Sequence, residues 1–218
     1  LLEKPEDELE LSDGAVRARS DSKKYITLSD MALQLSPELA GKLPEGFETA
    51  GLEAVSYQTT DYMPHSSGAN IAKVEVDVVT GGIKILDYYV VHDCGRILNP
   101  MIVDGQIIGG VVHGIGNAMF EQMVYDDSGN PMTTNYGDYL LPLASEMPEI
   151  HVAHIETPSP ANPMGLKGAG EGGTIPAIGA MINAIEDALT PFDAYIAKYP
   201  VTPEYILELV DGEKMAAE

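Results

Sequence analysis

Cysteine is almost missing from this sequence: Cys94 is the only one in 218 residues. The chain can form no internal disulfide and cannot by itself assemble a cysteine-ligated zinc or iron–sulfur site. A reducing compartment, the cytoplasm, is therefore expected. Basic residues are scarce as well, 12 against 34 acidic ones, for a formal charge of -22. That balance repels phosphate backbones and anionic lipid surfaces, which argues against nucleic acid and membrane partners. It suits either a basic partner subunit or plain solubility. Long hydrophobic runs are missing too, because the greasiest stretch, Met101–Met123, is cut by Gly105, Gly109, Gly110, Gly114 and Gly116, so no membrane-spanning helix is expected. Leu1–Leu11 is acidic rather than basic and then apolar, unlike a signal peptide. An apolar content of 44% is nonetheless ordinary for a chain that buries a core.

What the chain does contain is hairpins interleaved irregularly with helices, which predicts an α+β fold rather than a doubly wound parallel sheet. Residues Glu8–Leu11 and Ala15–Ala18 read as a hairpin about Asp13 and Gly14. A short helix over Thr27–Leu39 follows, with Ser29 as N-cap and its end near Gly41, and then a connecting segment to Tyr57. Residues 1–57 thus form one region and 58–218 a second. In the second, Ile71–Val79 and Ile83–His92 are β-rich and joined by Thr80, Gly81 and Gly82. A helix over Val103–Gln122 gathers Ile107, Ile108, Val111, Val112, Ile115 and Met119 into one apolar stripe. Gln106, His113 and Asn117 fall on the opposite face between two edges of glycine, leaving a small polar surface that another group can approach. Val124–Met132 reads as a further hairpin, Ile150–Ile155 as a strand, Ile175–Leu189 as a helix, and Pro203–Val210 as a last short helix.

The segment Lys167-Gly168-Ala169-Gly170-Glu171-Gly172-Gly173-Thr174 is the most unusual one. Its glycines satisfy GxGxxG, but that fingerprint needs an apolar strand immediately before it, and here Pro158, Pro160 and Pro163 precede the loop. A Walker A loop is excluded, since no Gly-Lys-Ser or Gly-Lys-Thr occurs. What remains is a carboxylate held between glycines just before a helix that Thr174 can cap and Pro176 can start. The positive helix end would help keep Glu171 ionised and able to accept a proton, and the glycines would clear room for a substrate. The plainer reading is a solvated loop acid among turn glycines. The histidines at 65, 92, 113, 151 and 154 form no HExxH, no serine sits in a GxSxG elbow, and Asp126–Asn130 lacks the later glutamate of a calcium loop.

Four blocks in this order, V-H-D-C-G-R-I-L-N-P (91–100), D-G-Q-I-I-G-G-V-V-H-G-I-G (104–116), E-T-P-S-P-A-N-P-M-G-L-K-G-A-G-E-G-G-T (156–174) and N-A-I-E-D-A-L (183–189), resemble the large subunits of molybdenum hydroxylases. That family includes xanthine dehydrogenase and aldehyde oxidase. The strand pair beginning S-G-A-N (67–70) also looks like the family's, with Asn70 where histidine is common. The resemblance implies the C-terminal part of a molybdenum-cofactor-binding domain. In it, Glu171 would be the general base toward a molybdenum-bound water that hydroxylates an electron-poor carbon. Gln106 would hydrogen-bond the pterin, and Lys167, Gly168, Ala169 and Gly170 would lie against the metal centre, mainly through backbone groups. Asp93 and Cys94 would mark a strand end near the cofactor, with packing as an equal alternative.

The resemblance implies partners as well. The cofactor would be molybdenum-molybdopterin, in its cytosine dinucleotide form for a bacterial source, with Fe–S clusters and FAD on partner chains or domains. The family's earlier cofactor loops have no counterpart here, so a chain carrying the N-terminal part of the molybdenum subunit is expected, whether from a split gene, a proteolytic cut or an excised domain. The substrate would be a small aldehyde or N-heterocycle, and Gly172-Gly173-Thr174 leans toward organic substrates over carbon monoxide. Two rival readings are a non-catalytic subunit completing a partner's pocket and a nucleotide-binding module built on Gly168–Gly173.

Overall fold

A computed structural model describes residues 2–38, 43, 45, 50–53, 55, 57, 59–60 and 62–216. It divides into two compact units, Leu1–Thr59 and Thr60–Glu218.

In the first unit, β1 (Leu9–Ser12) and β2 (Ala15–Ala18) form the antiparallel hairpin, with Leu11 opposite Val16. Gly14 takes a left-handed φ of 69° at its turn. A third strand, β3 (Asp21–Thr27), pairs with β2. It was not foreseen, because Lys23 and Lys24 interrupt any apolar alternation. Helix α1 (Leu28–Gln34) is capped by Thr27 rather than Ser29. The Thr27 hydroxyl accepts the Asp30 amide at 3.0 Å and donates to the Asp30 carboxylate at 2.7 Å, so Thr27 fills the cap position. The helix stops at Gln34, short of the expected Leu39, because Ser36 precedes Pro37 and is biased away from helix. Leu39 and Gly41 lie outside the described residues.

The second unit is built on a three-stranded sheet. Strands β4 (Ser67–Val76) and β5 (Ile83–Asp93) are antiparallel, and β6 (Ile150–His154) lies parallel to β5 on its other side. The β4 strand ends at Val76, not Val79, because the Asp77 carboxylate takes the Val79 amide at 2.9 Å and closes the turn. Helix α2 (Pro100–Met119) connects β5 toward β6. It starts three residues earlier than Val103, since Asn99 caps the Ile102 amide at 3.3 Å and Pro100 fits the first turn. It also ends before Gln122, where the Gly116 carbonyl takes both the Phe120 and Glu121 amides. Helices α3 (Thr174–Ala188) and α4 (Pro203–Ala216) complete the unit, α4 running past the expected Val210. Around Tyr125 and Pro131 only a single bridge forms, not a full hairpin.

The core lies between the sheet and the helices. Tyr88 and Val90 of β5 meet Ile107, Val111 and Ile115 of α2 and Met181 and Ile185 of α3, all buried. Each such side chain contributes about 1.5–3 kcal/mol of burial. The buried side of α2 departs from the expected stripe: Ile108 is exposed, while Gly110 and Gly114 face inward. They do so because α3 crosses there, and a Cβ on Gly114 would stand 2.6 Å from the Ala177 Cβ. On the other expected glycine edge, Gly105 and Gly109 beside Gln106 open on free space, but Gly116 is buried, where a Cβ would overlap the Glu121 carboxylate.

Candidate functional site

Alternation along β5 turns Tyr88, Val90 and His92 toward the helices, so the inward row ends on a histidine. The next residue, Asp93, is also buried, and it ties three segments together. Its carboxylate accepts the Gly95 amide at 2.8 Å, the Thr157 amide at 3.2 Å and the Lys167 ammonium at 3.2 Å. Burial alone would raise this carboxyl. The hydrogen bonds from Thr157, Gly95 and Lys167 outweigh it and hold Asp93 well below the usual carboxylate range.

The glycine loop is pinned at its start by the same junction. The Lys167 amide donates to the Cys94 carbonyl at 2.8 Å and the Arg96 amide to the Gly165 carbonyl at 3.0 Å, forming a bridge between Gly95 and Leu166. Asn162 brackets Leu166 with two bonds of 2.9 Å. Gly165 needs its left-handed φ of 72° and packs against Pro158, so no side chain fits there without strain. The Lys167 side chain is thus spent on Asp93. Cys94 is buried at the junction, and burial first of all pushes its thiol up.

Beyond Lys167 the loop opens. A Cβ on Gly168 or Gly170 would meet nothing within 4 Å. Gly168, Gly170 and Glu171 line an open cavity of about 340 Å³ with Ser66, Ser67, His92 and Ile175. Ala169 lies between them, half-buried. Glu171 is exposed along the side of this cavity, and its carbonyl receives the Thr174 and Ile175 amides at 3.1 and 3.2 Å, so it sits in the turn that leads into α3. Thr174 was expected to cap that helix. Gly173 holds the cap position instead, and the Thr174 hydroxyl packs against Gly110 of α2.

The loop closes again at Gly172 and Gly173. A Cβ on Gly172 would overlap the His92 imidazole, and one on Gly173 would overlap the Ile107 carbonyl of α2. Gln106 occupies this same turn of α2, exposed beside Gly105 and Gly109, and is not among the cavity's lining residues. The structure therefore brings Gly168, Gly170 and Glu171 together, sets Gln106 on the helix turn that backs the loop, and turns the Lys167 side chain away.

His92 is the residue that reading the sequence missed. It is 1% exposed, lines the Glu171 cavity, and neither ring nitrogen has a protein hydrogen-bond partner among the described residues. Burial, then the neighbouring His154, lower its pKa against the pull of Asp93, so the ring is held neutral. Its place in the Tyr88–Val90–His92 alternation was a usable signal. His151 stacks on Tyr89 at 4.6 Å, and His154 bonds Asp104 of α2 at 2.6 Å. No group of three His, Cys, Asp or Glu among the described residues is arranged to hold a metal ion. No helix among the described residues is long and apolar enough to cross a membrane.

Comparison with known proteins gives a consistent result. Residues 1–148 match the family model of the molybdopterin cofactor-binding domain. The chain is 41% identical to the nicotine 6-hydroxylase large subunit of Paenarthrobacter nicotinovorans over 212 residues, covering 97% of this chain and 26% of that protein. With the carbon monoxide dehydrogenase large chain of Hydrogenophaga pseudoflava it shares 36% over 188 residues, 86% of this chain and 23% of that one. The solved quinoline 2-oxidoreductase of Pseudomonas putida 86 superposes with a TM-score of 0.77 at 36% identity, over 96% of this chain and 26% of that chain. The chain thus spans about a quarter of the length of these relatives.

Proposed function

The chain belongs to the molybdopterin cofactor-binding domain family and corresponds to the C-terminal region of a molybdenum hydroxylase large subunit; from that premise we propose that it supplies the general base, Glu171, to a site hydroxylating a small aldehyde or N-heterocycle. The observation that carries the proposal is one carboxylate on the wall of an open cavity, in the turn that leads into α3, beside two glycines whose missing side chains leave that cavity free. Relatives named for nicotine and for quinoline favour the N-heterocycle.

The residues fit a flat, polar cofactor at two places. Gly168 and Gly170 offer unobstructed backbone beside Glu171, and Gly105 and Gly109 do the same beside Gln106. Lys167, Gly168, Ala169 and Gly170 would hold the metal end through backbone groups, and the Gln106 amide would hydrogen-bond the pterin. When bound, the cofactor supplies an acidified oxygen nucleophile and an acceptor for two electrons. Glu171 would serve as the proton acceptor there, its rotation unhindered by side chains at Gly170 or Gly172. The Asp93–Lys167 pair keeps the loop's start fixed while this happens, which limits how far the carboxylate can stray.

The rest of the pocket would come from the remaining part of the large subunit, with the cytosine dinucleotide form of the cofactor and with Fe–S and FAD partners to carry electrons away. In the assembled enzyme, Glu171→Gln should lower turnover by about 10²–10⁴-fold, the span of general-base catalysis, while molybdenum content stays unchanged. Retained turnover in that variant would leave the chain as a non-catalytic subunit that completes a partner's pocket.

A further inference from the structure

Among the described residues four buried side-chain nitrogens lack a protein partner, and three of them sit on two neighbouring rings: Nδ1 and Nε2 of His92 and Nδ1 of His154. The two rings stand edge to face, with centroids 6.4 Å apart and planes at 79°. That is too far for a direct hydrogen bond and suited to one water between them. Buried polar atoms are almost always satisfied, and a water is the partner that could serve nitrogens on both rings at once. On one side of the pair, His92 forms part of the wall of the Glu171 cavity. On the other, the second nitrogen of His154 bonds Asp104 at 2.6 Å, and Asp104 is half exposed on α2.

We propose that His92 and His154 share a buried water and, with Asp104, form a proton exit from the Glu171 cavity to the outer side of α2. The inference rests on Glu171 being the base. Each turnover leaves one proton on Glu171, which must depart before the next. His92 takes that proton on one ring nitrogen and releases the proton of the other to the shared water. The water passes one to His154, which gives up its own at Asp104 and then to solvent. No electron moves, and a return flip of each ring restores the start. A neutral His92 is needed for this, and its surroundings supply one: His154 from β6, Asp93 beside it on β5, and Glu171 from the loop are the titratable groups around it. Imidazole is suited to the task because it donates with one nitrogen while accepting with the other.

The test uses the full enzyme complex. A high-resolution crystal structure should show a water within hydrogen-bond distance of both His92 and His154 Nδ1. If those nitrogens bond other protein groups instead, the relay is overturned. His92→Phe presses on Gly172 and can fail to fold, so the kinetic arm rests on His154→Phe. That variant should cut turnover about tenfold, leave KM unchanged, enlarge the solvent deuterium isotope effect, and recover with added imidazole. Unchanged turnover and isotope effect would sink the relay while leaving the base reading intact. Undiminished activity in Glu171→Gln would sink the base itself.

Discussion

The loop from Gly165 to Gly173 has two kinds of glycine, and they differ in what presses on them. At its ends, Gly165, Gly172 and Gly173 sit against Pro158, His92 and the α2 backbone, so there the missing side chain is a requirement of the fold. In the middle, Gly168 and Gly170 face open space in the same loop. Fixed ends therefore flank a stretch whose smallness serves nothing inside the chain. Space that packing does not use is space for something that binds, and this is the physical content of the cofactor reading.

The strongest way to break that contrast is to loosen the pinned end. Lys167 and Asp93 are only 12% and 11% exposed in their side chains. Lys167→Ala would strand a buried carboxylate, costing about 3 kcal/mol of stability by chemical denaturation. If that variant unfolds no more easily than the parent, the loop's start is not held as described. The same pair predicts a pH dependence. The Asp93 carboxyl is held below its unfolded value, so its stabilisation is complete above about pH 4 and lost as the pH falls through the lower, folded value. The penalty of Lys167→Ala should therefore be full at neutral pH and shrink in acid, as measured by denaturant midpoints across that range.

How much of this could be read from residues alone depends on how far apart the interacting groups lie in the chain. The β4–β5 pair was legible because Thr80, Gly81 and Gly82 announce a local turn, and α3 because its apolar period is unbroken after Pro176. The site's glycines and Glu171 were legible as a cluster since they adjoin one another. The Asp93–Lys167 contact spans 74 residues and leaves no local trace. The parallel pairing of β6 with β5 was hidden for the same reason, because it depends on α2 carrying the chain across the sheet. The glycines of α2 were misread in part: their spacing showed two small edges, but only the position of α3 decides that Gly110 and Gly114 are covered while Gly105 and Gly109 stay open. His92 lay in plain alternation with Tyr88 and Val90, and its lack of partners is a fact only of three dimensions.

The gentlest perturbation is also the sharpest discriminator between the two kinds of glycine. Alanine at Gly165 must adopt a left-handed φ of 72° and press on Pro158, which should cost about 1–2 kcal/mol. Alanine at Gly170 meets no atom and needs no left-handed backbone, and it lowers the entropy of the unfolded chain, so stability should change by less than about 0.5 kcal/mol or rise slightly. In the assembled enzyme the order should reverse: if the open middle of the loop takes the cofactor as proposed, the new methyl at position 170 would intrude on it, and molybdenum retention after gel filtration should fall. A Gly170→Ala enzyme that keeps its full complement of molybdenum would mean that the open middle of the loop is merely surface, and the contrast between its parts would carry no function.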